Sequence, residues 1–141
     1  FFATVEKAAK KKAEKKAERW QTIALGAAKQ SKRMQIPTVH MPVTFQQALA
    51  MIAESDVRLM PYENAEGMEG TRKILESIEP GESIAILIGP EGGIDEAEVE
   101  MAMKEKVEPI TLGKRILRTE TAGMTVLSIL VYLLEGRERT R

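Results

Sequence analysis

The chain has 141 residues, which indicates a single domain, and it contains no Cys and one His. These counts exclude a disulfide scaffold, a zinc finger, an iron–sulfur cluster, a thiol nucleophile and a two-histidine metal site, so no metal is expected. Residues 1–33 hold ten Lys and Arg against three Glu, a net charge of +7, whereas residues 34–141 hold 11 Lys and Arg against 18 Asp and Glu, a net charge of −7. This split is typical of a nucleic-acid contact or of a solvated helix.

The first predicted element is one long helix over residues 6–33, because Glu, Lys and Ala dominate this segment and Pro37 follows it. Beyond Pro37, the spacing of apolar residues predicts strands and helices in alternation. The strands are predicted at 38–41, 57–61, 83–88 and 108–112, and the helices at 44–54, 67–78, 95–105 and 119–134. This alternation predicts an α/β fold with a mostly parallel sheet flanked by helices.

The targeting features of the chain are weak. The longest apolar stretch, residues 124–134, is too short to span a bilayer, and the first residues lack a secretory signal pattern. We therefore predict a cytoplasmic protein with no membrane contact. Because the chain starts with Phe rather than Met, we expect it to be a fragment of a longer protein.

A glycine-rich loop, GPEGG at residues 89–93, follows the predicted strand 83–88. Ligands of open α/β sheets bind at the carboxyl ends of the strands, and glycines let a ligand approach the backbone closely. Asp95 and Glu98 have the spacing of a capping box at the start of the next helix. The loop matches neither the dinucleotide-binding fingerprint nor the P-loop. An ordinary strand–helix turn without a ligand remains the alternative.

A second loop, LGKRILRTETA at residues 112–122, lies between the last predicted strand and the last helix. Its aliphatic Ile116 and Leu117 among Lys and Arg predict a pocket with an apolar floor and a cationic rim, next to free N–H groups at a helix start. The alternative is a basic surface loop that two aliphatic residues anchor. Arg33 in the QSKR segment at 30–33 either completes a well-terminated helix or contacts phosphate.

Together, QSxR at 30–33 with Pro37 after it, GPEGG with DxxE behind it, and LGxRILRxETA at 112–122 resemble the RsmE-type methyltransferases of the SPOUT superfamily. The resemblance runs from the Lys-rich segment to about Glu135. It implies methylation of N3 of a uridine in small-subunit (16S) ribosomal RNA, with S-adenosylmethionine as cofactor. It also implies a trefoil knot near the C-terminus and a homodimer.

The resemblance also bears on domain organisation. Members of this family carry an N-terminal RNA-binding domain, and a strand and helix, ahead of the region that matches residue 1. We therefore expect residues 1–141 to be a SPOUT methyltransferase domain without those segments. The basic first helix, residues 7–33, would then lie against RNA phosphates, or else form a solvated face.

The resemblance assigns site residues on both loops. The implied cofactor-binding residues are Ile88, Gly89, Glu91, Gly92, Leu112, Gly113, Ile116, Leu117, Arg118, Glu120, Thr121 and Ala122, with Tyr62 and Glu63 as further contacts from a third loop.

Catalysis requires removal of the N3 proton and stabilisation of the resulting anion. The family motifs offer Glu91 or Glu120 as the base and Arg33 or Arg118 as the anion stabiliser, and both choices stay open. We interpret His40 as a surface residue at a strand end rather than a base. Other functions that fit the sequence are a SPOUT methyltransferase of another RNA and a non-catalytic RNA-binding or ribosome-assembly module.

Overall fold

The computed structural model describes residues 10–63 and 67–138. It divides into two compact units, Phe1–Met51 and Ile52–Arg141. The first unit holds helix α1 (Lys10–Gln30) and nearly all of helix α2 (Phe45–Ile52). The second unit holds β1 (Val57–Pro61), α3 (Met68–Glu76), β2 (Ile84–Ile86), α4 (Glu96–Lys104), β3 (Glu108–Ile110) and α5 (Thr119–Glu138).

Helix α1 ends at Gln30, three residues before its predicted end, and its predicted first residues 6–9 lie outside the described residues. Lys32 has a φ of 56°, the left-handed conformation that terminates helices. The Arg33 N–H donates to the Ala28 carbonyl at 2.9 Å, and the Lys32 N–H donates to the Lys29 carbonyl at 3.2 Å. These two bonds form a Schellman motif, which fixes the backbone of Arg33 against the last turn of α1.

The strand predicted at residues 38–41 is not formed. Its backbone bonds instead to one side chain of α1: Gln21 Nε2 donates to the Pro37 carbonyl at 2.9 Å, and Gln21 Oε1 accepts from the Val39 N–H at 2.8 Å. The side-chain amide takes the place of a neighbouring strand, because it offers one donor and one acceptor. The prediction of a strand at this position was therefore wrong.

The three strands of the second unit form one parallel sheet in the order β2-β1-β3. The predicted α/β class, with a mostly parallel sheet flanked by helices, is confirmed. Strands β2 and β3 are shorter than the predicted strands at 83–88 and 108–112, since β2 ends at Ile86 and β3 ends at Ile110. The trefoil knot stays a prediction.

One hydrophobic cluster covers a face of this sheet. It contains residues from the sheet, from α3 and the residues after it, and from α5, namely Leu59, Leu75, Ile78, Ile110, Val126 and Leu130. Met60 is also fully buried, and neighbouring strand residues point to opposite faces, so both faces of β1 are covered. The end of α5 is fixed as well, because the Arg137 guanidinium donates to the carbonyls of Ile78 and Glu76.

At the amino-terminal edge of the sheet, Asp56 and Ser83 tie the starts of β1 and β2 together. Asp56 Oδ2 accepts from the Ser83 N–H at 2.8 Å and from Ser83 Oγ at 2.9 Å, and Ser83 Oγ accepts from the Asp56 N–H. The backbone N–H and then the hydroxyl of Ser83 hold the pKa of Asp56 below its ordinary value of 3.8.

This lowered pKa predicts a pH-dependent contribution to stability. The carboxylate stabilises the fold above the unfolded-state pKa, and its contribution disappears as pH falls through the lowered folded-state pKa. Asp56→Asn should therefore reduce the free energy of unfolding more at about pH 7 than at about pH 2. Denaturant unfolding at both pH values measures this difference, with Asp95→Asn as control because Asp95 makes no capping hydrogen bond. An equal loss at both pH values would contradict the prediction.

Candidate active site

The carboxyl ends of the three strands meet at one edge of the sheet, because the strands are parallel. Hydrogen bonds continue just past the strand ends. The Leu87 N–H donates to the Leu59 carbonyl at 2.8 Å, and the Tyr62 N–H donates to the Ile110 carbonyl at 2.9 Å. The loops that follow β1, β2 and β3 therefore start side by side at this edge.

The loop after β2 is bonded directly to the start of α5. Thr119 Oγ1 donates to the Gly89 carbonyl at 3.1 Å, which joins the two loops that the sequence motifs singled out. Only glycine fits at position 89, because a Cβ there would lie 2.5 Å from Ile94 Cγ1. Further along, the Gly93 N–H donates to the Pro90 carbonyl at 2.9 Å, and Gly93 has a φ of +84°. The GPEGG loop is thus a hydrogen-bonded turn, and the Thr119–Gly89 bond joins it to the start of α5.

The loop after β3 begins with a second tight turn. Thr111 Oγ1 accepts from the Gly113 N–H at 3.3 Å and lies 3.2 Å from the Gly113 carbonyl, to which it can donate. Gly113 has a φ of +112°, a conformation that side chains disfavour. Leu112 packs against the hydrophobic cluster. The backbone of this loop is therefore fixed where it leaves the sheet.

The predicted cofactor-binding residues differ in burial. Leu112, Leu117 and Ile88 are half-buried, whereas Ile116 is 78% exposed and lies on the surface rather than in an apolar floor. Of the other predicted contacts, the half-buried or buried ones are Gly89, Gly113, Thr121, Ala122 and Tyr62, and the exposed ones are Gly92 and Glu63.

The four candidate catalytic side chains, Arg33, Glu91, Arg118 and Glu120, are all exposed. The ion pair found within the described ranges joins Lys73 and Glu69 at 3.8 Å, and it involves none of the four candidate side chains. Glu91 lies on the first loop, and Arg118 and Glu120 flank Thr119 on the second, so the Thr119–Gly89 bond brings three of the candidates onto joined loops. Arg33 lies in the other unit, at the Schellman motif that ends α1.

The predicted capping box at α4 does not form. Asp95 occupies the N-cap position, but its side chain makes no capping hydrogen bond. A reciprocal capping box forms instead at α2, where Thr44 Oγ1 accepts from the Gln47 N–H at 3.2 Å and Gln47 Oε1 accepts from the Thr44 N–H at 3.0 Å. The start of α4 therefore relies on the acidic first-turn residues Glu96 and Glu98, which are favourable at a helix N-terminus.

Sequence reasoning missed one residue beside this site. Thr71 of α3 is 3% exposed, and its Oγ1 accepts from the Thr111 N–H at 2.9 Å. No local pattern could have indicated this bond, because its partners lie 40 residues apart.

Over the described residues, no cluster of three or more His, Asp or Glu could hold a metal ion. Nor does any helix in those residues have the length and apolar character to cross a membrane.

Comparison with known proteins identifies the family of this chain. A family model described as an RNA methyltransferase domain matches residues 1–131. The chain belongs to this RNA methyltransferase family. It is 41% identical over 128 residues to ribosomal RNA small subunit methyltransferase E of Bacillus subtilis, covering 89% of this chain and 50% of that protein. It is 37% identical to the protein of the same name from Mesomycoplasma hyopneumoniae, covering 82% of this chain and 48% of the relative.

A solved structure shares both fold and sequence with this RNA methyltransferase domain. Ribosomal RNA small subunit methyltransferase E from Neisseria gonorrhoeae, bound to S-adenosyl methionine, aligns with a TM-score of 0.76 at 33% identity, covering 87% of this chain and 50% of that one. These similarities confirm the resemblance to RsmE-type methyltransferases. The domain spans about half the length of the curated relatives it matches.

Proposed function

We propose that this RNA methyltransferase domain uses S-adenosylmethionine to methylate N3 of a uridine in small-subunit ribosomal RNA. The observation that carries the proposal is the Thr119–Gly89 hydrogen bond, which joins the two motif loops at the carboxyl edge of the sheet. The relative from Neisseria gonorrhoeae supports the choice of cofactor, because it is bound to S-adenosyl methionine. The proposed substrate implies a cytoplasmic site of action.

The residues at this edge fit an adenosine-containing cofactor. Half-buried Ile88, Leu112 and Leu117 offer apolar surface for an adenine ring. The backbone at Gly113 is open to close approach, since a Cβ there would meet nothing within 4 Å, and the first turn of α5 presents N–H groups for polar atoms. When bound, S-adenosylmethionine supplies an electrophilic methyl group on a sulfonium. The protein itself must align the nucleophile with that methyl group and remove one proton.

The exposed carboxylates supply the proton acceptor. In the proposed reaction, Glu91 or Glu120 takes the proton of uridine N3 while the N3–methyl bond forms and the methyl–sulfur bond breaks. A guanidinium, of Arg118 or Arg33, stabilises the negative charge that develops on the uracil ring. Glu91, Arg118 and Glu120 lie on the joined loops, and Arg33 is held by the Schellman motif.

Isothermal titration calorimetry with S-adenosylmethionine tests the cofactor assignment. We expect a dissociation constant in about the micromolar range, as is common for metabolite-binding enzymes, together with a rise in the unfolding temperature. Absence of both heat and thermal stabilisation would contradict the enzyme proposal and favour a non-catalytic RNA-binding module.

Mass spectrometry of ribosomal RNA tests the substrate separately. RNA from cells that lack the gene should lose one N3-methyluridine from the small subunit, and restoring the gene should return it. If the cofactor binds but this nucleoside persists in the deletion strain, the enzyme acts on another RNA.

The exposed face of α1 supports an RNA partner. Its buried positions are small residues, Ala13, Ala17 and Ala28, whereas Lys and Arg occupy the opposite face. The exposed cations of α1 include Lys12, Lys15, Lys16 and Arg19. The ion pair found in the described residues uses none of them, so these charges are available to phosphates.

Neutralising that face should reduce the salt dependence of RNA binding. We expect replacement of the four cations by Gln to lower the slope of log K against log salt by about 2.8 to 3.6, since each of the four phosphate contacts contributes about 0.7 to 0.9. Fluorescence anisotropy with a small-subunit RNA fragment measures the slope. The double variant Arg72→Gln with Lys73→Gln, which removes two exposed cations from α3, is the control and should leave the slope nearly unchanged. An unchanged slope would mean that the face is only solvated.

We further propose that the domain forms a homodimer through α5. Large apolar side chains stay exposed along one face of this helix at helical spacing: Met124 at 61%, Leu127 at 56%, Val131 at 50% and Tyr132 at 83%. Contiguous exposed apolar surface of this kind is typical of protein–protein contacts.

Charge placed on this face should separate the two copies. We expect Leu127→Glu combined with Val131→Glu to convert a dimer into a monomer in sedimentation equilibrium, whereas Met103→Glu on α4, also at an exposed apolar position, should leave the dimer intact. Sedimentation of the unaltered chain as a monomer at tens of micromolar would contradict the homodimer.

A further inference from the structure

We propose that Thr71 is a positioning residue for the cofactor, because its hydroxyl holds the loop after β3 in its binding shape. The inference rests on the proposed function and adds a residue to which no sequence motif assigned a role. Thr71 is the buried polar residue of the described core, at 3% exposure among apolar neighbours. A buried hydroxyl needs a hydrogen-bond partner, and the one it accepts from is the Thr111 N–H at 2.9 Å.

The role of the Thr71–Thr111 hydrogen bond follows from its position at the end of β3. Strand β3 ends at Ile110, whose carbonyl accepts the last hydrogen bond to the neighbouring chain segment, from the Tyr62 N–H. Thr111 follows, and its N–H is bonded to α3 through the Thr71 hydroxyl rather than to a strand. The Thr71–Thr111 bond therefore fixes the backbone directly after the last hydrogen bond of the sheet.

Successive hydrogen bonds connect Thr71 to the loop that forms the site. The Thr111 N–H is held by Thr71, and the Thr111 hydroxyl in turn bonds the Gly113 backbone at 3.2 and 3.3 Å. Between them lies Leu112, which packs on the hydrophobic cluster. Both Leu112 and Gly113 are proposed cofactor contacts, so a shift of Thr111 moves two contacts at once. Catalytic positioning of this kind is sensitive to displacements of about 1 Å.

Two substitutions separate the hydroxyl from the shape of the side chain. Thr71→Val keeps the branched shape and removes the acceptor, whereas Thr71→Ser keeps the hydroxyl and removes a methyl group. We expect Thr71→Val to weaken S-adenosylmethionine binding by about 10-fold, in line with the loss of a buried hydrogen bond, and Thr71→Ser to stay within about 3-fold of the unaltered chain. In methylation assays, Thr71→Val should raise the KM for S-adenosylmethionine more than it lowers kcat.

Control and direct readouts make the test decisive. Ile52→Ala removes buried apolar volume from the same unit and destabilises it, but it should leave S-adenosylmethionine affinity within about 3-fold, since Ile52 lies outside the cluster on which Leu112 packs. Amide hydrogen exchange of Thr111 reports the Thr71–Thr111 bond itself: it should be slow in the unaltered chain and in Thr71→Ser, and fast in Thr71→Val.

The outcomes are distinguishable. If Thr71→Val binds S-adenosylmethionine as tightly as the unaltered chain, or if Ile52→Ala loses affinity equally, the positioning role is overturned while the proposed function stands. If the unaltered chain does not bind S-adenosylmethionine at all, the proposed function fails, and the positioning role fails with it.

Discussion

Replacing Gly89 by alanine is expected to weaken S-adenosylmethionine binding by about 10- to 100-fold, because the overpacked loop must move, and a displacement of about 1 Å in a site can cost about 100-fold. The added Cβ would lie 2.5 Å from Ile94 Cγ1 and 3.2 Å from Ile94 Cδ1, so the loop or the helix entry after it must shift. The Gly89 carbonyl would shift with it, away from the Thr119 hydroxyl that joins the two loops. Calorimetric titration of S-adenosylmethionine into the variant measures the loss.

A second substitution tests the steric cause. Ile94→Ala in the Gly89→Ala background removes the atoms that the new methyl group meets, and it should recover most of the lost affinity. Gly136→Ala is the control, because a Cβ at that position meets nothing within 4 Å and the residue lies near the opposite end of α5 from Thr119. If Gly89→Ala binds normally, or if Ile94→Ala gives no recovery, the close approach of Gly89 to Ile94 does not shape the site.

Replacing the catalytic carboxylate by its amide is expected to lower kcat by about 10²- to 10⁴-fold, the usual contribution of a general base. Glu91→Gln and Glu120→Gln are compared under single-turnover conditions with a uridine-containing ribosomal RNA substrate. Only the variant that loses the base should show this decrease, whereas the other should keep a kcat near that of the unaltered chain. S-adenosylmethionine affinity, measured in parallel, separates loss of chemistry from loss of binding.

Glu100→Gln, at an exposed position on α4, is the matched control and should retain normal kcat. A decrease of less than about 3-fold in both loop variants would mean that neither carboxylate is the base, since a general base contributes far more. Arg33→Met and Arg118→Met distinguish the candidate guanidiniums in the same assay, because the one that stabilises the uracil anion should lower kcat without a matching change in cofactor affinity.

Features that depend on local sequence were predicted well. The alternation of strands and helices predicted the parallel sheet, because the periodicity of side chains reports which faces are covered. The motif at residues 112–122 likewise led to the family, since its order of glycine, aliphatic, basic and hydroxyl residues is long enough to be specific.

Features that depend on distant partners were not predictable in this way. Residues 38–41 have strand-like composition, yet the Gln21 side chain satisfies their backbone from 16 to 18 residues away. Asp95 and Glu98 have capping-box spacing, but the hydrogen-bonded box forms at Thr44. For Thr71, the bond that makes it relevant to the site exists only once α3 has packed beside β3. Tertiary contacts determine all three, and a single sequence does not display them.

The hydrogen-bonded pair of Asp56 and Ser83 has a practical consequence for engineering. It joins β1 and β2 at the ends where these strands begin, whereas Gly89 and Thr119 meet at the ends where the strands finish. With a rise of about 3.3 Å per residue, a strand the length of β1 separates the two edges by roughly 15 Å. Fluorophores, tethers or immobilising groups attached around the Asp56 edge would therefore leave the ligand edge accessible, which makes that edge the suitable attachment point for a binding sensor.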